Sequence, residues 1–219
     1  RFNYSGGIGI QHAKLMSNNL TYASSVRQSF INLFPNFNLQ FKKGRSKNLH
    51  LTYRGNTQQP NVTQLQDVIN NANILNVKSG NPLLKQEFVN SLSLTYNTSN
   101  TSKSRNFYLS LNSSQISNKI SNTITTNFTQ DAIVVDGYNL IPGAQFTKPQ
   151  NLNGAYNIGV NANVNFTMKN PKSSINLGTY LYNSKDVNLF NKINIISSHK
   201  QQQTNKQTNK QTNKQTNKQ

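Results

Sequence analysis

Tyr156-Asn157-Ile158-Gly159-Val160-Asn161-Ala162-Asn163-Val164-Asn165-Phe166-Thr167-Met168 alternates without a break between apolar and small or polar residues. Its seven apolar residues at period two cannot share one face of a helix, but they line one face of a strand. A strand in a soluble sandwich is usually about 5–6 residues long, whereas a tilted membrane-crossing strand needs about 9–11. This stretch is long, apolar on one side and crowded with amides on the other. The pattern predicts a transmembrane β-strand, with lipid against one face and water against the other.

Six weaker runs carry the same signature. Phe2, Tyr4, Ile8 and Ile10 alternate with Asn3, Ser5, Gly7, Gly9 and Gln11; Phe37, Leu39 and Phe41 with Asn36, Asn38, Gln40 and Lys42. Leu49, Leu51 and Tyr53 interleave with His50, Thr52 and Arg54, and Leu92, Leu94 and Tyr96 with Ser91, Ser93 and Thr95. Phe107, Leu109 and Leu111 flank Tyr108 and Ser110, and Ile175, Leu177 and Leu181 alternate with Asn176, Gly178 and Tyr180. Short alternating runs are common in soluble sheets, but seven with the same Asn/Ser/Thr second face are not. The expected fold is all-β: an antiparallel meander of about seven long strands, part of a transmembrane β-barrel left incomplete.

The connections sort by length. Short polar turns are expected at Lys43 to Asn48, Asn97 to Ser104 and Asn170 to Ser174. Long connections run from Gly55 to Asn90 and from Ser113 to Leu152, with an intermediate one from His12 to Val26. Short turns on one side and long loops on the other suit an outer-membrane barrel, not a Greek-key sandwich. The short turns then face the periplasm.

Apolar residues make up 33% of the chain and mean hydropathy is −0.68, which in a soluble protein would suggest disorder. A barrel needs only alternate strand residues to be apolar. No run approaches the roughly 20 apolar residues of a helical span. Arg1 opens inside a strand-like run with neither Met nor an apolar leader, so a longer parent chain is expected. The net charge of +18 raises nucleic-acid binding, yet the 23 basic residues are scattered and no binding motif appears, so no nucleic-acid partner is expected. From Gln203 the chain repeats Gln-Thr-Asn-Lys, as the in-frame tetranucleotide CAAA would be translated. The expected division is a partial barrel at 1–198 and a low-complexity, disordered tail at 199–219. The tail reads as a translated microsatellite; a slippage tract that switches expression is the functional alternative.

Sites for chemistry are sparse. The five acidic residues, Asp67, Glu87, Asp131, Asp136 and Asp186, are dispersed, so no paired-carboxylate site is expected. His12, His50 and His199 show no metal-ligand spacing, and His50 falls on the polar face of its strand. Gly6-Gly7-Ile8-Gly9 lies within a strand pattern and is not a phosphate loop. No enzyme activity, metal or cofactor is expected.

The most specific residues lie in the two long connections. Tyr53-Arg54, Pro60, Val62, Gln64-Leu65-Gln66, Val68, Asn70-Asn71, Asn73, Gly80-Asn81-Pro82, Leu84 and Glu87 occupy the first; Gly143-Ala144-Gln145, Lys148-Pro149 and Asn151-Leu152-Asn153-Gly154 the second. In order and spacing they resemble the C-terminal barrel portion of the outer-membrane β-barrel protein family related to TonB-dependent receptors. Members of that family often carry an N-terminal carboxypeptidase-regulatory-like domain. The resemblance covers roughly Phe2 to Ile196. It departs at Ile74, where the family usually has proline, at Asn153, where it has aspartate, and at Asn183-Ser184-Lys185-Asp186, a blurred version of its loop.

The resemblance implies a barrel of about twenty-two strands in the outer membrane of a Gram-negative envelope. It also implies a plug and an energy-coupling segment in the missing remainder, and an inner-membrane energy-transducing complex as partner. External loops would capture a scarce nutrient such as a metal chelate, vitamin, glycan or peptide. Seven strands fall short of the smallest common barrel of eight, so the chain alone is not expected to form a functional pore. A secreted adhesive β protein and a passive porin-like barrel are the alternatives. In the first long loop, Gly80-Asn81-Pro82 reads as a tight reversal in which glycine or asparagine supplies unusual backbone angles. Leu65, Val68, Ile69, Ile74 and Leu75 are expected to pin this loop over the barrel mouth, with Leu65, Val68 and Ile69 spaced for one helical turn or two. Gln64, Gln66, Asn70, Asn71 and Asn73 are the ligand candidates, since exposed loops commonly carry function.

Overall fold

A computed structural model describes residues 1–19, 24–44, 46–100, 102–168 and 173–210. The elements in order are β1 (Phe2–Asn19), β2 (Ser24–Lys43), β3 (Lys47–Gln58), α1 (Val62–Leu65), β4 (Asn76–Lys78), β5 (Glu87–Asn100) and β6 (Arg105–Ser117). There follow β7 (Lys119–Thr126), β8 (Ile133–Val135), β9 (Tyr138–Leu140), β10 (Gln145–Leu152), β11 (Ala155–Met168), β12 (Ser173–Phe190) and β13 (Ile193–Lys210). The long strands form one open meander in the order β1-β2-β3-β5-β6-β11-β12, each antiparallel to its neighbour, with β13 antiparallel on the far edge of β12. Each of the seven expected strands is present in this wall.

Register shows why the alternation matters. Tyr4, Leu39, Leu51, Leu94, Leu111, Val160 and Leu181 stand directly opposite one another across seven strands. One residue further along, Asn3, Gln40, His50, Thr95, Ser110, Asn161 and Tyr180 form the matching row on the other face. Among the described residues no second layer covers the apolar face: Tyr4 is 74% exposed and Ile8 and Ile10 are each 72% exposed. A soluble sheet would bury such a face against another element. Here the buried apolar residues are mostly in the connections: Leu65, Val77, Leu84, Leu140, Ala144 and Phe146.

The apolar band also drifts. Its aromatic end nearest the short turns is Phe166 on β11 but Phe41 on β2, and Phe41 is level with Ala162 through Leu49, Tyr96 and Leu109. That is a shift of four residues over four strand steps. One residue of ~3.3 Å per strand spacing of ~4.8 Å corresponds to a strand tilt of about 35°. At that tilt the run from Tyr156 to Phe166 spans about 27 Å of depth, close to the roughly 25 Å apolar band of outer-membrane barrels. Hydrophobic patterning and strand register thus give the same geometry independently.

Several expectations are corrected. The segment from His12 to Val26 is not a free connection: β1 pairs with β2 from Phe2↔Phe41 to Asn19↔Ser24, and only the link at 20–23 falls outside the described residues. Alternation fades there because the hairpin leaves the apolar band. The turn expected from Asn170 to Ser174 shortens, since β12 begins at Ser173, and its remaining link lies outside the described residues. The repeat is strand-paired through Lys210, so residues 199–210 of the expected tail lie in β13 while 211–219 lie outside the described residues. Backbone pairing needs no side-chain pattern, and the open edge of β12 supplies a row of free N–H and C=O groups. Asn191 and Lys192, at φ 47° and 64°, make the two-residue turn between β12 and β13.

Candidate functional site: the cap at the barrel mouth

The two long connections do not stay separate. The second folds into β7, the β8–β9 hairpin and β10; β7 pairs antiparallel with β10, and β4 from the first connection joins β10 in parallel. β7 also meets the end of β12 at Leu189↔Thr123 and Phe190↔Ile124, so the cap continues the wall. The hairpin turns on Asp136 and Gly137, both at positive φ, the combination a type I′ turn requires. Lys148 on β10 donates to Asp136 at 2.6 Å, tying that turn back to the sheet.

Two apolar clusters hold the cap. Leu65 and Leu84 pack on Phe30, which projects from β2 on the amide-bearing face, with Leu15 and Ile120 alongside. Val77, Leu140, Ala144 and Phe146 form the second cluster, flanked by Ile69, Ile133, Val135 and Tyr138. The single expected pinning cluster is therefore split. Leu65 and Ile69 fall in different clusters, Val68 lines a cavity, and Ile74 and Leu75 are 57% and 55% exposed. The helical turn ends at Leu65, leaving Val68 and Ile69 outside it.

Gly80-Asn81-Pro82 joins the two connections. Gly80 does not take a positive φ; it is needed for space, because a Cβ there would lie 2.2 Å from the Gln66 carbonyl oxygen and 2.9 Å from that of Gln64. The Gly80 N–H donates to Gln66 O at 3.1 Å and the Asn81 N–H to Gln64 O at 2.6 Å. The Asn81 side-chain amide donates to Pro149 O at 3.0 Å, and its oxygen accepts from Leu83 N at 3.0 Å. Asn151 acts in the same way from the other side. Its oxygen accepts from Lys85 N at 2.7 Å, and its amide donates to Lys85 O at 2.8 Å and Asn118 O at 2.7 Å. Asn153 accepts from Asn118 N at 2.7 Å. The two motifs that stood apart in the sequence are one contact in space.

Between them lies a cavity of about 810 Å3, lined chiefly by side chains that donate or accept hydrogen bonds, among them Thr63, Gln64, Gln66, Asn70, Asn122 and Thr147. Lys78 is the one charged residue in its lining. Of the ligand candidates, Gln64, Gln66 and Asn70 line this cavity, Asn73 joins Asn70 at a smaller hollow of about 260 Å3, and Asn71 lines neither. Most of these side chains also shape the loop. Gln64 closes a capping box with Asn61, Asn70 accepts from Ala72 N at 3.1 Å, and Asn73 accepts from Leu75 N at 3.0 Å. Among the described residues no three His, Asp or Glu side chains converge as a metal site.

Sequence reasoning missed Asn127, fully buried, whose amide donates to Asp131 O and Leu140 O while its oxygen accepts from Thr129 N. In a chain this rich in asparagine nothing marks that position out.

Gly80→Ala is expected to loosen the cap without harming the wall, because Gln66 meets the new methyl with backbone atoms that cannot rotate away. Trypsin added to intact cells should then cut at Lys78 or Lys85, both exposed, on the order of ten times faster, the loss of about 1–3 kcal/mol of local stability. Wild-type resistance in the variant would remove the close approach as the reason for glycine.

No curated protein matches the chain. The sequence model of the outer membrane protein beta-barrel family matches it over residues 1–219. With an uncovered apolar face, a tilted strand wall and the long connections gathered at one end, the chain belongs to the outer membrane protein β-barrel family, which places it in an outer membrane.

Proposed function

We propose that this chain supplies wall and external cap to an outer-membrane receptor and transporter of the kind related to TonB-dependent importers, with a non-catalytic role in nutrient uptake. The observation that carries the reading is the cap. Two long connections build an open-mouthed cavity of about 810 Å3, apolar over most of its surface and edged by amide and hydroxyl side chains, at the mouth of an amide-lined wall, where a ligand would be held before passage. A passive pore needs no such enclosure, and an adhesive solenoid would show a fixed strand-turn period, whereas these connections range from two residues to a folded cap. Its partners in this reading are outer-membrane lipid, the remainder of its own barrel with a plug, and an inner-membrane energy-transducing complex.

The test is uptake by cells carrying the complete gene product, with radiolabelled ferric chelate, cobalamin, oligosaccharide and peptide as probes. Uptake of one probe that stops when a protonophore collapses the inner-membrane gradient supports the importer. Uptake indifferent to the protonophore would make the protein a passive pore, and no uptake beyond that of a deletion strain would leave a structural role.

A further inference from the structure

Among the described residues the amide-bearing face of the wall carries one near-parallel pair of aromatic rings. Tyr180 and Tyr182, two residues apart on β12, point to the same face with ring centroids 6.3 Å apart and planes 11° from parallel. Both lean over Gly159 on β11, the direct partner of Tyr182: a Cβ there would be 3.6 Å from the Tyr182 ring and 3.7 Å from the Tyr180 hydroxyl. Gly178 makes room in the same way, since the Asn163 oxygen stands 2.4 Å from where its Cβ would be. Packing a ring over a strand glycine steadies the sheet, and it also holds the ring's free face toward the interior.

Among the described residues the two rows that hold this pair carry no Lys, Arg, Asp or Glu, and the His199 ring on β13 stands 6.3 Å from that of Tyr182. The row at Tyr182 runs through Gly159, Asn112, Ser93, Thr52 and Asn38, and the row at Tyr180 through Asn161, Ser110, Thr95 and His50. The Asn163 amide donates to Asn161 at 2.7 Å, which orients both amides beside the rings. Carboxylates begin only near the cap, where Glu87 accepts from Ile120 N and Asp186 pairs with Lys119. An anionic chelate or a phosphate would find no Lys or Arg on these rows, since Arg54 lies one row toward the cap and four strands from the tyrosines, and a cation would find no carboxylate. Flat aromatic faces suit the C–H face of a pyranose ring, while asparagine, serine and threonine match its hydroxyl groups as both donors and acceptors. The cavity in the cap, with Lys78 as the one charged residue in its lining, has the same chemistry.

We infer that Tyr180 and Tyr182, with the amides of Asn161 and Asn163, form a lumen contact site for a neutral oligosaccharide. The inference rests on the transporter reading and names its substrate class.

The test uses the complete outer-membrane protein and a fluorophore-labelled pool of neutral hexasaccharides of α-glucan, β-glucan, xylan and mannan type. Tyr180→Ala/Tyr182→Ala should weaken binding of the pool at least tenfold and slow its uptake, while Tyr180→Phe/Tyr182→Phe, which keeps both ring faces, should stay within threefold of wild type. Outer-membrane levels and the heat-induced gel shift identify any variant that fails to assemble; Tyr180→Leu/Tyr182→Leu, which keeps apolar bulk without a ring face, then carries the comparison and should likewise lose at least tenfold. Unchanged glycan binding in an assembled alanine pair, or no glycan binding by wild type, overturns the site. Energised uptake of ferric chelate, cobalamin or peptide by the alanine pair at wild-type rate would leave the importer standing and remove only the glycan assignment. Glycan binding lost in the alanine pair but never followed by energised uptake would do the reverse.

Discussion

Val160→Arg is expected to cost the membrane-assembled protein about 2–4 kcal/mol, while Asn161→Arg, one residue along the same strand, should be close to neutral. Val160 lies between Leu111 and Leu181 in the continuous apolar row, near the middle of the band that runs from Tyr156 to Phe166. A guanidinium there would sit in hydrocarbon with no water to solvate it. Asn161 lies between Ser110 and Tyr180 on the opposite face, where an arginine replaces one polar side chain by another and gives up only the half-buried hydrogen bond from Asn163. Urea titration of the protein assembled in lipid vesicles measures the difference. A soluble core would answer differently, because the apolar face would then be the packed one and Val160→Arg would unfold the protein without any dependence on bilayer thickness. Equal effects at 160 and 161 would mean that the two faces see the same medium, and the assignment of lipid to one of them would fall.

The seven wall strands were legible because the membrane enforces period two over a long run, and every residue contributes to the same signal. Tyr156 to Met168 shows this best, since it lies between β6 and β12 with both partners in register. The cap was not legible, for a different reason. β4 spans three residues and pairs with β10, about seventy positions away, so its strand character comes from long-range contact and not from local pattern. Gly80 stands out in the sequence as part of a turn motif that suggests unusual angles; the reason for glycine is the oxygen of Gln66, which only the folded cap brings near. Asn70 and Asn73, ligand candidates by their place in an exposed loop, also accept from the backbone two residues ahead, the commonest local use of asparagine in loops. Asn81 and Asn151 make the longer contacts that join the connections, and no spacing in one sequence separates them from their many neighbours. The Tyr180–Tyr182 pair was visible as residues but not as a platform, because the vacancy beneath it belongs to Gly159 on another strand.

Lys206→Leu is expected to stabilise the assembled protein by about 2 kcal/mol, and Lys200→Leu, nearer the cap-side interface, by about 1 kcal/mol or less. Both follow from β13, where register and composition conflict. Gln202 stands opposite Leu181, Lys206 opposite Leu177 and Lys200 opposite Asn183, so β13 turns lysine, glutamine and threonine toward the face on which β12 and β11 place Leu177, Leu181, Val160 and Val164. The conflict does not dislodge the strand, and magnitudes show why. A lysine on the lipid face costs about 2–4 kcal/mol at the midplane and about 0–1 near an interface. Stripping β13 away would instead leave a whole edge of β12 unpaired in hydrocarbon, at several kcal/mol for each N–H and C=O group. Many unpaired groups outweigh two lysines, so the repeat stays in place for its backbone and in spite of its side chains. Deleting residues 199–219 should accordingly do far more harm than either lysine does, abolishing assembly where the leucine variants raise the urea midpoint. The chain contains no cysteine, so a polarity-sensitive dye on Gln202→Cys reports the medium directly, with Leu181→Cys as its hydrocarbon reference. If the dye at 202 reads water and Lys206→Leu leaves the midpoint unmoved, this face of β13 looks onto solvent or onto the rest of the barrel, and the lipid boundary of the wall ends at β12.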